Sequence, residues 1–376
     1  MAVRQFHAGA TAKGLVACGA SVGLLISPFV VSLVAHRGWS TGLSASRLLL
    51  VGAAAFVVSG LFPVLPVYVV TSLVGLATAA SIIPLLTQMY QDNYPENRRG
   101  YLFSRTVMIR IATAAGFGEL AGYALNANMG NFRAVILVIA AAFAFASFCL
   151  GRCPTRALAR DEGTHPFRAF RYIRTDPLFR LTLIVWMFMG FGNLMMLPLR
   201  VEYLANPKYG KELSVATIAL MTAVIPNIAR LIMSPIWGWL FDRMNFFALR
   251  MTLNAGFAIG ILAFFTSREF GGLLLGAIIF GVSNAGGDVA WSLWVTKFAP
   301  PERVADYMSV HTFFTGIRGV AAPLVAFYFA ERLSLGAMAG VSAGLIVISI
   351  LLMLPEVKFG RGGMRSAAAL VEEVSD

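Results

Sequence analysis

Apolar runs of about twenty residues, separated by short breaks of charge, glycine and proline, organise this chain from end to end. A helix needs roughly 20 apolar residues to cross a hydrocarbon core of about 30 Å. Runs of that order occupy 14–35, 48–62, 64–90, 101–125, 134–151, 181–204, 214–240, 251–266, 271–296, 306–330 and 335–354. They are long and continuous, with none of the short alternating segments of a membrane barrel, so the pattern predicts eleven transmembrane α-helices. Connectors are short except Arg152 to Arg180, which holds seven Arg and divides the runs into five and six. The organisation read from this pattern is an N-terminal helical bundle over 1–151, a basic cytoplasmic central loop over 152–180, a C-terminal six-helix bundle over 181–354 and a cytoplasmic tail over 355–376.

Composition agrees with an all-α integral membrane protein. The 376 residues are 58% hydrophobic and only 13% charged, which excludes a soluble domain of ordinary composition. The net charge of +12 would fit nucleic acid only if the basic residues shared a soluble face; they punctuate apolar runs instead, so no nucleic-acid partner is expected. Cys18, Cys149 and Cys153 sit in or beside apolar runs and build neither a disulfide framework nor a zinc site. Neither metal nor cofactor is expected.

Charge also orients the spans, because cytoplasmic connectors accumulate Lys and Arg. One side carries Arg37, Arg47, Arg98, Arg99, Arg105, the seven Arg of 152–180, Arg243, Arg250, Lys297, Arg303, Lys358, Arg361 and Arg365, 19 in all. The other carries Arg4, Lys13, Arg133, Arg200, Lys208, Lys211, Arg268 and Arg332, which is 8. The first side is read as cytoplasmic, which places the C-terminus there. A cleaved secretory signal at 14–35 would invert every later loop, so that run is read as a membrane helix entering from outside.

The two halves repeat. "YPENRRGYLFSRT" from Tyr94 lies against "PPERVADYMSVHT" from Pro300, with Pro95/Pro301, Glu96/Glu302, Tyr101/Tyr307 and Thr106/Thr312 all 206 residues apart. At the same offset His36-Arg37 falls on Asp242-Arg243, and Ser27-Pro28 and Ser234-Pro235 differ from it by one residue. Duplicated bundles are a common construction of transporters. Applied to 181–204, the offset places its counterpart upstream of Met1. The implied architecture is two six-helix bundles related by a pseudo-twofold repeat, with 11 helices (5+6) in place of 12 here.

At this point the chain resembles the major facilitator superfamily over essentially its whole length. "GWLFDRMNFFALR" is similar to that family's signature between helices 2 and 3, repeated between 8 and 9: Gly238, Leu240, Asp242 and Arg243 match, while Asn245, Phe246 and Phe247 replace the usual Gly and basic residues. The first-half copy, "SLVAHRGWSTG", has Ser32 for the Gly and His36 for the Asp, followed by Arg37. The resemblance implies that the Asp engages a neighbouring helix end and steadies the outward-facing state. Thr71 stands where many proton-coupled members have Arg, and Glu119 where drug antiporters have Pro, so a proton-driven multidrug antiporter is not implied.

Ionisable residues inside a bilayer cost about 2.5–3.5 kcal/mol on insertion scales and mark function by default. At about 1.5 Å rise per residue, Arg110, Arg230, Arg318 and Asp288 lie near mid-depth, on the helices that in this family face the central cavity. Helices 3, 6, 9 and 12 of the family pattern are read as free of interior charge. Three Arg against one Asp predict a small organic or phosphorylated anion, since guanidinium makes paired hydrogen bonds to carboxylate and phosphate. The competing reading has Arg230 or Arg318 pairing with Asp288 or backbone carbonyls as a structural bridge. Asn193, Asn227, Asn284 and Trp291 are further substrate-binding candidates, and Glu119, nearer the outer mouth, is a candidate for coupling to H+ or Na+. His311 is read as a solvated residue at a helix start, and "PFRAFRYIRTDPLFR" (166–180) as an interfacial helix on anionic lipid.

The interior offers no paired carboxylates for metal and no Ser/His or Cys/His constellation, so no catalytic residue is assigned and an enzyme is not expected. The leading reading is a monomeric secondary transporter of the plasma (bacterial inner) membrane, moving a small solute by alternating access. The alternative is a non-transporting member acting as sensor or assembly factor.

Overall fold

The computed structural model describes residues 5–6, 9–159, 165–211, 213–267 and 269–358. Arg4, Arg160, Arg268, Arg361 and Arg365 of the charge census, with the tail beyond Lys358, lie outside the described residues. Six helices precede the long connector: α1 (Ala10–Arg37), α2 (Thr41–Leu61), α3 (Leu65–Ser81), α4 (Ile83–Asn93), α5 (Arg99–Ala127) and α6 (Phe132–Arg152). After it come the single turn α7 (Tyr172–Thr175), α8 (Pro177–Ala205), the short α9 (Val215–Ala219), α10 (Ile225–Arg243), α11 (Phe246–Thr266), α12 (Phe270–Leu293), α13 (Val304–Ala330) and α14 (Leu335–Lys358). A lipid interior offers no hydrogen-bond partner to the backbone, and a helix satisfies its own.

Ten helical segments among the described residues are long and apolar enough to cross a membrane, which makes the chain a multi-pass membrane protein. The remaining run, 101–125, is α5, a helix of 29 residues that carries Arg99, Arg105, Arg110 and Glu119. Breaks follow local chemistry. α1 ends where Gly38 takes the left-handed conformation, φ 64, and returns its N–H to the carbonyls of the last turn. Pro84 supplies no N–H, and the run 64–90 is divided there into α3 and α4. Pro226 acts similarly at the top of α10, where Leu220–Val224 widens into a π-turn between α9 and α10.

The chain forms two compact units that interleave in sequence. One comprises 1–93, 113–171 and 299–317, the other 94–112, 172–298 and 318–376. Helices α5 and α13 therefore contribute to both. In the first unit α1 packs on α3 and α2 on α6, closing a core of Val31, Val34, Ala35, Leu49, Ile82 and Leu85. α1 meets α3 with backbone nearly touching: a Cβ at Gly23 would overlap the Ala77 carbonyl. In the second unit α12 packs on α10 and α11, and α14 on α8 and α11. There a Cβ at Gly281 would lie 2.5 Å from the Pro226 carbonyl oxygen. Leu50, Leu120, Phe145 and Leu324 project outward, as lipid-facing positions do.

Two expectations are corrected here. Residues 167–170 do not lie free on a lipid surface. Phe167 stacks edge-on to Phe29 and Phe170 to Phe313 at centroid separations of 5.1 and 5.2 Å, and the Arg168 guanidinium, 7% exposed, pairs with Asp306 at 3.5 Å. Ring contacts and a nearby carboxylate hold Arg168, Ala169 and Phe170 against the first unit, whereas Phe167, Arg171, Arg174 and Arg180 remain exposed. His311 is likewise no surface residue, being 1% exposed inside the first unit; α13 begins at Val304, which carries His311 two turns into packed helix.

Gly23→Leu should lower thermal stability in detergent by about 1–3 kcal/mol or prevent folding, because overpacking against backbone has nowhere to relax. Gly14→Leu, at a position with open space, should leave the melting temperature unchanged.

Candidate functional site

Arg110, Arg230 and Asp288 converge within the second unit. After the π-turn, Pro226 sets the start of α10 so that Asn227 and Arg230 fall three residues apart on one face. Arg230 Nη1 donates to Asn227 Oδ1 at 2.9 Å and Nη2 to Asp288 Oδ2 at 2.6 Å. The other oxygen of Asp288 faces Arg110 Nη2 of α5 at 3.5 Å. Two guanidiniums thus share one carboxylate. The Arg110 side chain is 61% exposed, against 23% for Arg230 and 22% for Asp288, so the group most open to solvent is a cation. Solvent-exposed pairs contribute little to stability, which leaves Arg110 able to exchange partners at low cost.

Arg318 lies elsewhere in the same unit. Its guanidinium, 4% exposed, rests on the α8 backbone at Gly190 and donates to the Trp186 carbonyl. Any side chain at residue 190 would occupy its place. Asn193, Asn284 and Trp291 are half-buried on α8 and α12. Glu119 is exposed on α5, within a stretch, 112–120, that is exposed throughout.

Two arginines assigned to connectors are instead buried. Arg250, 1% exposed, sits in the second turn of α11, so the expectation of a charge-free ninth family helix is corrected. Its guanidinium carbon lies 3.6 Å from the Trp186 ring centroid, and Nη2 donates to Met189 sulfur at 3.0 Å. Arg200, 4% exposed at the far end of α8, lies between Phe264 and Phe280 at 4.6 and 4.0 Å. Aromatic faces replace water around both cations. Sequence counting missed them because each stands near the end of an apolar run, where a loop and a terminal helical turn look alike.

The signature loop is built differently in the two units. In the second, Asp242 at the end of α10 accepts from Gly100 N at 2.7 Å and Tyr101 N at 2.9 Å, capping the first turn of α5 with charge-assisted bonds. Gly238 permits this approach, since a Cβ there would lie 2.6 Å from the Gly100 carbonyl oxygen. Arg243 is exposed over the Trp239 ring at 4.3 Å. In the first unit His36 and Arg37 are exposed, Arg37 beside Trp39. The start of α13 is held instead by Gln88 of α4: Oε1 accepts from Ala305 N at 3.1 Å and Nε2 donates to the Pro301 carbonyl at 2.8 Å. Nothing in the local sequence of Gln88 signals this role, which depends on a partner more than 200 residues away.

Residues 194–369 match the family model of the Major Facilitator Superfamily. Solved structures share the fold at low identity. The human organic anion transporter MFSD10 (TETRAN) superposes with a TM-score of 0.74 at 15% identity, over 91% of this chain and 83% of that one. The fucose:proton symporter FucP of E. coli gives 0.72 at 13%, over 93% and 92%. The proton:xylose symporter XylE bound to 6-bromo-6-deoxy-D-glucose gives 0.68 at 14%, over 94% and 88%. No curated protein sequence matches the chain.

Asp242→Asn should leave the fold intact and weaken the cap on α5. Hydrogen exchange at residues 99–103 should rise about tenfold, as expected when a charge-assisted hydrogen bond is lost; unchanged protection would show that the cap carries no energy.

Proposed function

We propose that this chain is a member of the major facilitator superfamily, whose family model matches residues 194–369, and a secondary transporter that carries a small organic or phosphorylated anion by alternating access. The observation that carries the reading is the sharing of Asp288 by Arg110 and Arg230, with Arg110 the most exposed member. One carboxylate against two guanidiniums leaves one positive charge for a ligand. Arg230, fixed by both Asn227 and Asp288, supplies a preorganised edge, and Arg110 turns from Asp288 to the anion. The similar structures include an organic anion transporter beside two sugar:proton symporters, so the anion class rests on the arginines.

Arg318 does not belong to the ligand set in this reading. It braces α8 against α13 through the Trp186 carbonyl, while Asn227 acts through Arg230. Asn193, Asn284 and Trp291 are assigned to the less charged part of the substrate. Glu119 is the candidate for ion coupling, to H+ or Na+. Asp242 and Gln88, at the cytoplasmic end by the distribution of Lys and Arg, hold the starts of α5 and α13. The protein acts as a monomer in the plasma (bacterial inner) membrane, its C-terminus cytoplasmic, and performs no covalent chemistry.

In proteoliposomes, Arg110→Gln should raise the KM for an anionic substrate about ten- to a hundredfold, the loss of one charged hydrogen-bonding partner, with melting temperature unchanged. Arg318→Gln should lower stability instead, since it leaves a buried carbonyl contact unmade. Anion-stimulated flux that is indifferent to Arg110→Gln, or flux of neutral sugars alone, would overturn the assignment. Glu119→Gln should flatten the dependence of uptake on an imposed ion gradient while leaving counterflow intact.

A further inference from the structure

A cavity of about 280 Å3 opens in the first unit, apart from the Arg110 cluster. Gln88 and Asp92 of the last turns of α4 line one side, Arg156 and Leu158 of the long connector another, and Pro301 and Glu302 before α13 a third. Its wall is fixed. The Pro154 carbonyl accepts from Asn93 Nδ2 at 3.1 Å, Thr155 Oγ1 accepts from Gly42 N at 3.2 Å and the Arg156 carbonyl from Thr41 N at 3.2 Å. Ala157 forms an antiparallel bridge with Ser40, and Leu158 is buried in the α1–α2–α4 core.

This framework presents charges of both signs that do not neutralise one another. Among the described residues neither Asp92 nor Glu302 forms an ion pair with Arg156. Asp92 Oδ1 accepts from Gln88 Nε2 at 2.9 Å, which leaves its second oxygen for another donor. Gln88 itself, 4% exposed, is the residue that caps α13 through Ala305. A ligand that joins the two poles needs an ammonium for the carboxylates and an anionic group for the guanidinium, which bonds carboxylate and phosphate in paired fashion.

We infer that this cavity is a binding site for a small zwitterion, its ammonium on Asp92 and Glu302 and its anionic group on Arg156. Occupancy tightens the contact between α4 and the start of α13, because one ammonium engages both Asp92 of α4 and Glu302 just before α13. A free ω-amino acid and the headgroup of phosphatidylethanolamine share this chemistry. The inference is independent of the substrate assigned above.

The test is thermal unfolding of the purified full chain in nanodiscs of phosphatidylcholine, titrated with glycine, β-alanine and 4-aminobutyrate, with acetate and methylammonium as single-charge controls. A second set of nanodiscs contains phosphatidylethanolamine. A saturable rise in Tm with at least one zwitterion and with neither control assigns a soluble ligand; a rise only with phosphatidylethanolamine assigns a headgroup. In either case Arg156→Gln and Glu302→Gln should each weaken the apparent affinity about tenfold. The Tm without ligand should not change, since neither side chain is ion-paired among the described residues. Arg156→Glu should exchange the preference for diamines. Absence of any zwitterion-dependent rise, or a rise that Arg156→Gln and Glu302→Gln leave untouched, overturns the site.

Discussion

A guanidinium taken out of water must be given something in its place, and the second unit of this protein answers that demand in three chemically distinct ways. Arg230 is given a carboxylate, Asp288, which it shares with the exposed Arg110. Arg318 is given a backbone carbonyl and a flat seat on Gly190. Arg250 and Arg200 are given aromatic faces. The solutions differ in what they allow. A carbonyl inside a helix cannot leave, and an aromatic ring packed in a core cannot turn away, so Arg318, Arg250 and Arg200 are fixtures. A half-exposed ion pair can be exchanged for another at little cost, and among these described arginines Arg110 of the Asp288 cluster is the one most open to solvent. That difference in exposure, more than charge itself, separates a site from a scaffold.

The two helix starts that the repeat places in register show the same economy. Asp242 holds α5 with a charged cap, whereas Gln88 holds α13 with a neutral one. Charge-assisted hydrogen bonds are roughly twice as strong as neutral ones, so the duplicated architecture is mechanically unequal at these two points. Around α13 the deficit is met by other means: Arg168 and Arg303 both face Asp306, and Phe167 and Phe170 pack against Phe29 and Phe313. The central connector thereby becomes a strap of the first unit as well as a link in the chain.

Much of this was legible in the amino-acid order. The apolar runs mark the helices closely, and all-helical construction follows from the cost of unsatisfied backbone in lipid, which no tertiary contact can alter. The charges Arg110, Arg230, Arg318 and Asp288 stand out because they interrupt apolar runs. What the order could not give is the partner of each. Arg318 and Arg230 look alike in sequence, each a lone cation in an apolar run, yet one meets Gly190 and the other Asp288. Arg250 and Arg200 look like loop residues until packing supplies their rings. Gln88 carries no local sign of its role.

The sequence by itself determined the class, the course of the apolar helices and the identity of the charges that must be accommodated, because those depend on transfer from water to an apolar medium and on a period along one chain. Tertiary structure alone decided which charge is exchangeable, which helix start is capped by an acid or by an amide, and where opposite charges line a cavity without meeting. Those outcomes turn on distances of 2.6 to 3.5 Å between residues remote in sequence, where a single glycine or a shift of one helical turn selects the partner.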